Sequence, residues 1–544
     1  MMAARLLRAG DTERGFAGWI NRQFESVRRR YTRSLTATLR YRPVVLVLWV
    51  IVALLTVPFY MFSQRELAPY EDQGFFFGFV QGSANATLDQ TKLFTEQIYD
   101  VYRSLPESAS IFQITQPGGG FGGMVTKPWS ERTKTTQQLL MDSMIPLSKI
   151  PGVRVIPQAP PPLPGGSNFP VDLVIASAAE PQQLNALAEQ LVGKAFASGL
   201  FIFADADLKL DQPQTEVVFD RDKLRSQGVD LSQAGRDLST LLGANYVNRF
   251  SIQGRSYKVI PQVARAERLT PDQLEQIYIT GSHDRLVPLS TFASLKSTTE
   301  PRDLKKFQQL NAVRIQGVIP PPVPLDQALG FLETEARKIL PQGFNIDYAG
   351  ESRQLRTEGG KFLGTFLLSA VLIYLVLAAQ FESFRDPFIV LAGSVPLAVA
   401  GALLFSFLGF TTLNIYSQVG LITLVGLISK NGILIVQFAN HLQETGKEKL
   451  AAIVEAAGTR LRPILMTTAA TVVGHFPLVI ATGPGAGARN SIGIMLVSGM
   501  IIGTLFTLFV VPSIYMLVAR RRIAAVEIRR ATTTERVQEL AEAV

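Results

Sequence analysis

Apolar positions fall into long runs near the start and the end of the chain, separated by a stretch in which apolar and polar residues mix. The first run, Pro43 to Phe62, stops where Arg65, Glu66, Glu71 and Asp72 appear. The later runs are Lys361 to Ala379, Phe388 to Leu408, Tyr416 to Asn440, Leu461 to Thr482 and Ile492 to Arg520. As helices they are each about 30 Å long or more at about 1.5 Å per residue, the thickness of a bilayer core. Six transmembrane helices are predicted, and an even number returns the chain to the side on which it began.

The stretch between the first and second runs reads as two similar halves. In the first half Phe75 to Gln81 is a strand, Thr87 to Leu105 a helix and Ala109 to Gln116 a strand. After a glycine-rich loop, GGGFGG, come a strand Met124 to Trp129, a helix Ser130 to Ile150 and a strand Val153 to Gln158. The order β-α-β-β-α-β is the ferredoxin-like pattern. The second half begins with strand Val171 to Ser177, helix Pro181 to Ser198 and strand Leu200 to Ala204. It resumes with strand Leu310 to Ile319, helix Pro324 to Leu340 and strand Phe344 to Ala349. An inserted module over about Gln212 to Thr298 interrupts it, with a hairpin across Ile252-Gln253-Gly254-Arg255. The proline-rich joint 158–170 is a stiff linker between the halves.

Before the first run, Phe16, Trp19, Ile20, Phe24, Val27 and Tyr31 recur at helical spacing with arginines on the remaining face. This pattern predicts a helix lying in the membrane interface rather than a soluble amphipathic one. Ten arginines between Arg5 and Arg42 are opposed only by Asp11, Glu13 and Glu25, so the positive-inside rule places the N-terminus in the cytoplasm. Lys447, Lys449, Arg460 and Arg462 on the next inner loop and Arg520 to Arg522 on the tail agree. No stacking aromatics or recognition motif accompany these cations, which argues against a nucleic-acid partner. The chain, 544 residues with net charge +9 and no cysteine, has neither disulfides nor a thiolate metal site. It shows no cleavable signal and no P-loop, so ATP is not the expected driver.

Lys430 stands about 21 Å into the run from Tyr416, in the sequence GLISKNGILIVQFA. A cation at that depth costs about 3 kcal/mol on insertion scales and normally faces a bundle interior and pairs with a carboxylate. The other apolar runs contain no Asp or Glu, which puts any partner in another chain or another part of the protein. A lysine snorkelling to the cytoplasmic interface is the alternative, at roughly three times the reach of its side chain. Gly499 and Gly503 form a small-xxx-small pair that reads as close helix packing.

Six runs, a long outer domain after the first and an intramembrane lysine resemble the C-terminal half of a resistance-nodulation-division (RND) transporter. More narrowly, the chain is similar to the hydrophobe/amphiphile multidrug efflux pumps of bacterial inner membranes. GWINRQFE, LAPYEDQGFFFGFVQ, VFDRDKLRSQGVDLSQAGRDLSTLLGANYVNRF and RLRPILMTT carry the likeness, over about Gly15 to Arg522. It implies an α+β membrane protein, with a six-helix transmembrane bundle and periplasmic ferredoxin-like porter subdomains carrying an inserted docking subdomain. The expected layout is a cytoplasmic arm (1–42), a first span (43–62), one porter subdomain (63–160) and a second (161–211 with 299–358). The docking subdomain is 212–298, the remaining spans 361–520 and a cytoplasmic tail 521–544.

The resemblance further implies a drug/proton antiporter rather than an enzyme, driven by the proton-motive force without a cofactor or metal. Its expected partners are an N-terminal RND half or full-length protomers in a trimer-like assembly, a periplasmic adaptor, an outer-membrane channel, the bilayer and small hydrophobic substrates. Lys430 resembles the relay lysine, Thr467 the relay threonine and Arg460 the arginine at the cytoplasmic end of the proton path. Phe112 and Ile114 look like pocket-lining residues, with strand packing as the alternative. Phe121 sits where the family has a glycine-rich switch loop, shorter here. The family's acidic membrane pair belongs to the N-terminal half, so this chain is expected to pair with such a half or to be a fragment. A non-transporting scaffold subunit and an RND-like lipid or protein exporter are the competing readings. His475 is read as a packed or interfacial histidine rather than an extra relay group.

Overall fold

The computed structural model describes residues 15–320 and 323–521. Helix α1 (Gly15–Arg40) leads into α2 (Arg42–Phe62). The arginines before residue 15 and the expected tail beyond Arg521 lie outside the described residues. On α1 it is Tyr31, Leu35 and Leu39 that are buried, and the Tyr31 hydroxyl donates to the Leu508 carbonyl at 2.7 Å. Trp19 and Val27, on the face expected to meet the bilayer, are exposed. One side of α1 is thus docked on protein, Phe24 packs against the same core, and Trp19 and Val27 face outward.

The first outer unit contains β1 (Phe75–Gly82), α3 (Leu88–Ser104), β2 (Ser108–Gln116), β3 (Gly119–Thr126), α4 (Thr136–Ser148) and β4 (Val153–Gln158). Its sheet is antiparallel in the order β2-β3-β1-β4. The glycine-rich run is not a loop. It forms β3, in register between β1 and β2, with Phe77 opposite Gly123 and Ile114 opposite Phe121. Local propensity argued against a strand here, since glycine is depleted in strands, but tertiary packing reverses that preference. A Cβ at Gly123 would run into the Phe76 carbonyl, one at Gly120 into the Ile114 carbonyl, and one at Gly122 into the Gln113 amide. The helix expected from Ser130 begins at Thr136 instead, where Thr135 and Gln138 form a capping box that sets its start.

The second unit contains β5 (Val171–Ser177), α5 (Pro181–Ala197) and β6 (Phe203–Ala206), the last shifted from the expected Leu200 to Ala204. The inserted segment has β7 (Gln212–Phe219), α6 (Arg221–Ser226), α7 (Leu231–Leu241), β8 (Asn248–Ile252), β9 (Arg255–Val259), β10 (Tyr278–Thr280), β11 (Leu286–Pro288) and β12 (Ala293–Glu300). β8 and β9 form the expected hairpin; positive φ at both Gln253 (50°) and Gly254 (77°) suits its two-residue turn. β13 (Lys305–Phe307), β14 (Leu310–Val318), α8 (Leu325–Ile339) and β15 (Asn345–Tyr348) complete the unit. β6, β14, β5 and β15 pair antiparallel in that order, which repeats the arrangement of the first sheet. Each sheet buries one face under its two helices, around Phe76, Tyr102 and Met124 in the first unit and Leu173, Leu191 and Leu329 in the second.

A short helix α9 (Gly350–Glu358) precedes α10 (Lys361–Phe381), α11 (Arg385–Phe407), α12 (Ile415–Glu444), α13 (Lys449–Val479) and α14 (Ala486–Val518). Among the described residues five helices are long and apolar enough to cross a membrane: α2, α10 with α9, α11, α12 and α14. α13 is not among them: it begins twelve residues before the expected Leu461, and even its most apolar stretch carries Arg462, Pro463, His475, Pro477 and several threonines. It nonetheless packs on α12 and α14. Gly499 and Gly503 do serve close packing. A Cβ at Gly503 would lie 2.6 Å from Ala398 Cβ, and one at Gly499 3.1 Å from the Ala398 carbonyl. α14 is thereby held against α11 and α12, while α2 buries no residue fully. At the outer end, residues 64–67 run beside 413–415, with Leu413 N–H donating to the Gln64 carbonyl at 2.8 Å and Glu66 N–H to Leu413 at 3.2 Å.

Candidate functional site

α12 is started by Asn414, whose Oδ1 accepts from the amides of Tyr416 and Ser417, both at 3.0 Å, while Ser417 Oγ accepts from the Asn414 amide at 2.8 Å. That cap fixes the phase in which every later residue of the helix points. Ile428, Ser429, Asn431 and Gly432 turn into the bundle and are buried; Lys430 is half-buried, on the less covered side. Among the described residues Lys430 has no hydrogen-bond or ion-pair partner.

Thr467 stands on the neighbouring helix α13, half-buried, and its hydroxyl donates to the Ile464 carbonyl of its own helix at 3.2 Å. Arg460 crosses to α12, where its guanidinium lies 4.5 Å from the centre of the Phe438 ring, about 12 Å along the helix from Lys430. Its Nε is buried without a hydrogen-bond partner among the described residues. The three residues therefore occupy adjacent helices but are not joined by hydrogen bonds to one another. His475 Nδ1 lies 2.7 Å from the Thr471 carbonyl, a contact within its own helix that fits a packed histidine.

Two polar clusters escaped the sequence reading. Asn431 Nδ2 donates to Thr504 Oγ1 at 3.1 Å and to Thr468 Oγ1 at 3.4 Å, joining three helices beside Lys430. Its Oδ1 is buried with no hydrogen-bond partner among the described residues. An Asn next to an intramembrane lysine was the available signal, since such groups are costly in hydrocarbon and find partners across helices. The second cluster lies just before an apolar run that is itself free of acid. α11 begins three residues before the expected Phe388 and carries Asp386, buried, with Oδ2 accepting from Asn440 Nδ2 at 3.0 Å. Asn440 also accepts from the Tyr515 hydroxyl at 2.8 Å, and Tyr515 accepts from Gln443 at 2.5 Å. Asn440 is ten residues beyond Lys430, about 15 Å along the helix, so Asp386 does not pair with that lysine.

In the first outer unit, Phe112, Ile114 and Phe121 share the sheet face opposite the helices. Phe112 and Ile114 are 36% and 53% exposed on the edge strand β2, so they are not core packing. Phe121 lies in β3, not in a loop, and its ring centre is 5.5 Å from Phe112 and 5.3 Å from both Phe77 and Phe79. Phe79 continues the patch to Phe169 and then Phe203 of the second unit, at 6.0 and 5.5 Å. These spacings suit offset or tilted aromatic contacts. The result is an apolar face on the first unit that continues into a buried aromatic contact with the second.

Below this face, Asp72 anchors the segment that leads into β1. Its carboxylate accepts from Arg132 Nη2 at 2.7 Å, from the Thr136 hydroxyl at 2.5 Å and from the amides of Thr136 and Gly74 at 2.8 and 3.1 Å. Burial opposes the charge, but the donors outweigh it and hold the carboxyl below the ordinary carboxylate range. Glu66 behaves oppositely: burial raises its affinity for a proton, and the hydroxyl of Thr412, 2.5 Å away, only partly offsets that.

The family described as AcrB/AcrD/AcrF matches residues 1–519. The chain is 38% identical over 532 residues to an uncharacterized transporter of Haemophilus influenzae, covering 95% of this chain and 51% of that protein. It is 31% identical over 528 residues to the multidrug export protein AcrF of Escherichia coli, covering 94% and 51% of the two chains. Against the multidrug/solvent efflux pump membrane transporter MepB of Pseudomonas putida it is 31% identical over 520 residues, covering 93% and 49%. The chain spans about half the length of these relatives.

Proposed function

This chain belongs to the AcrB/AcrD/AcrF family of RND efflux transporters, and from that premise we propose that it is the C-terminal half of a proton-driven pump in a bacterial inner membrane. In this reading α2 and α10 to α14 form a six-helix bundle with both chain ends cytoplasmic. The two sheet-and-helix units (63–160, and 161–211 with 299–358) are periplasmic ferredoxin-like porter subdomains. Residues 212–298 form a docking subdomain for a periplasmic adaptor and an outer-membrane channel.

The observation that carries the proposal is Lys430, a cation midway along a membrane-length helix with no carboxylate partner among the described residues. Such a charge is kept where it is paired, so the acidic groups come from an N-terminal half or another protomer. When those carboxylates are ionised Lys430 binds them. When a proton neutralises one, the lysine turns toward Thr467 on α13, with Arg460 serving the cytoplasmic end of the path. Moving one charge through 100 mV supplies about 2.3 kcal/mol, and the resulting rocking of α12 against α13 is passed to the outer units. Hydrophobic or amphiphilic small molecules meet the apolar face of Phe112, Ile114 and Phe121, in keeping with the multidrug and solvent efflux for which relatives are named. Drug susceptibility of an efflux-deficient host tests this. Resistance is expected when the chain is expressed with an N-terminal RND half and an adaptor, and it is lost in Lys430→Ala. Resistance that survives Lys430→Ala refutes the relay.

A further inference from the structure

α11 and α14 each carry a proline inside the helix, Pro396 and Pro512. Proline has no amide hydrogen, so the carbonyl four residues earlier, Ala392 in α11 and Leu508 in α14, loses its helical donor. In hydrocarbon an unsatisfied carbonyl is costly, and a proline is tolerated where a neighbour supplies the missing donor. Both carbonyls have such a neighbour. The Tyr31 hydroxyl of α1 donates to the Leu508 carbonyl at 2.7 Å, and the Trp49 indole N–H of α2 donates to the Ala392 carbonyl at 2.9 Å. Among the described residues no side chain of another helix reaches the carbonyls four residues before Pro58, Pro463 or Pro477. The two donors are therefore particular to α11 and α14, the helices that lie against α12.

Both prolines stand close to the surroundings of Lys430. Ala398, two residues past Pro396, meets Gly499 and Gly503 of α14, and a Cβ at Gly503 would also lie 3.2 Å from Ile428 Cδ1 of α12. Thr504, the next residue, accepts from Asn431 at 3.1 Å and stands one turn before Leu508. Tyr31 is buried, and its ring meets that of Phe509 edge to face with 5.6 Å between centres, so its hydroxyl is held against α14. We infer that Tyr31 and Trp49 are positioning residues: each replaces the amide that a proline withholds, and together they clamp α14 and α11 in the setting at which Thr504 reaches Asn431 and Thr468. Helix α1 is thereby tied to the helices around Lys430. The inference rests on the transporter reading for its consequence, a relay that works only with the clamp closed. The clamp itself is read without transport.

The chain has no cysteine, so Thr468→Cys/Thr504→Cys, at positions whose hydroxyls lie 3.4 Å apart, reports how α14 is set against α13. The rate of disulfide formation with copper phenanthroline is measured in the full chain in nanodiscs. Adding Tyr31→Phe or Trp49→Phe should slow it about three- to fivefold, the shift that one hydrogen bond between membrane helices supports. In Pro512→Ala the helix regains its own amide, so Tyr31→Phe should have no effect there, whereas in Pro396→Ala it keeps its full effect. Trp49→Phe should show the converse pattern. Thr36→Ala, which removes an exposed hydroxyl bonded to the Thr32 carbonyl within α1, leaves the rate unchanged. If Tyr31→Phe fails to fold, recovery of folded protein by Pro512→Ala but not by Pro396→Ala supports the clamp in the same way. Unaltered rates in both single variants, or equal losses in matched and crossed backgrounds, reduce the two aromatics to packing and overturn the inference. With the native threonines, an N-terminal RND half and an adaptor, resistance is expected to fall in Tyr31→Phe and to return with Pro512→Ala. Parental resistance alongside slowed crosslinking overturns the positioning role. Crosslinking in the expected pattern without resistance in any combination counts against the pump and leaves the clamp standing.

Discussion

Asp72→Asn removes the charge that meets a nearly inaccessible arginine, because the Arg132 side chain is 1% exposed and that of Asp72 13%. The range of 0.2–1 kcal/mol for exposed pairs does not apply here. Breaking a buried pair from one side costs about 3–5 kcal/mol. Arg132 keeps the Thr136 hydroxyl at 2.9 Å and lies 4.4 Å over the Trp129 ring, which places the loss near the lower end, about 3 kcal/mol. If opening of the first outer unit governs exchange, hydrogen exchange of β1 and α4 in the full chain should speed up about 100-fold, at a factor of ten per 1.4 kcal/mol. In Asp72→Ala/Arg132→Met, where neither charge is left alone, most of that loss should be recovered. The pair also sets an acid limit. With the folded carboxyl held below its unfolded value of about 3.9, the unfolded chain binds more protons between the two values. The stabilisation is fully present above about pH 4 to 5 and disappears as pH falls through the folded value, and Asp72→Asn lacks that dependence. Exchange in Asp72→Asn within threefold of the parent, or the same acid dependence in both proteins, refutes the reasoning.

Three further outcomes are expected. Gly123→Ala drives a methyl into the Phe76 carbonyl across the strand pair, so it should cost about 1–3 kcal/mol and raise protease sensitivity of the first unit; a neutral substitution would mean that 119–123 behaves as a loop. Gly503→Val meets Ala398 and should separate α14 from α11, lowering the temperature of aggregation in detergent by several degrees, whereas Gly474→Val, with open space beside it, should leave it unchanged. Asn431→Leu removes the donor shared by Thr468 and Thr504 next to Lys430; reduced resistance at unaltered expression is expected, and parental resistance would exclude a part for that cluster in the relay.

Hydropathy alone located five of the six expected runs as helices long and apolar enough to cross a membrane among the described residues, because transfer of an apolar helix depends on the sum of its residues and little on its neighbours. The cost of Lys430 was legible for the same reason, as were the strands Val153 to Gln158 and Val171 to Ser177 and the Gln253-Gly254 turn, each fixed by local pattern. Only tertiary structure decided the rest. Gly119 to Gly123 becomes a strand because β1 and β2 close on it from both sides, a requirement no local propensity carries. Asp386 is buried at the start of α11 where Asn440, far along the chain, meets it as a donor. The face shared by Phe79, Phe112, Phe121 and Phe169 depends on strand registers and on two separate units meeting. Glu66 and Glu351 likewise line one cavity although they come from opposite ends of the outer region, and such proximity is a property of the fold rather than of spacing in the sequence.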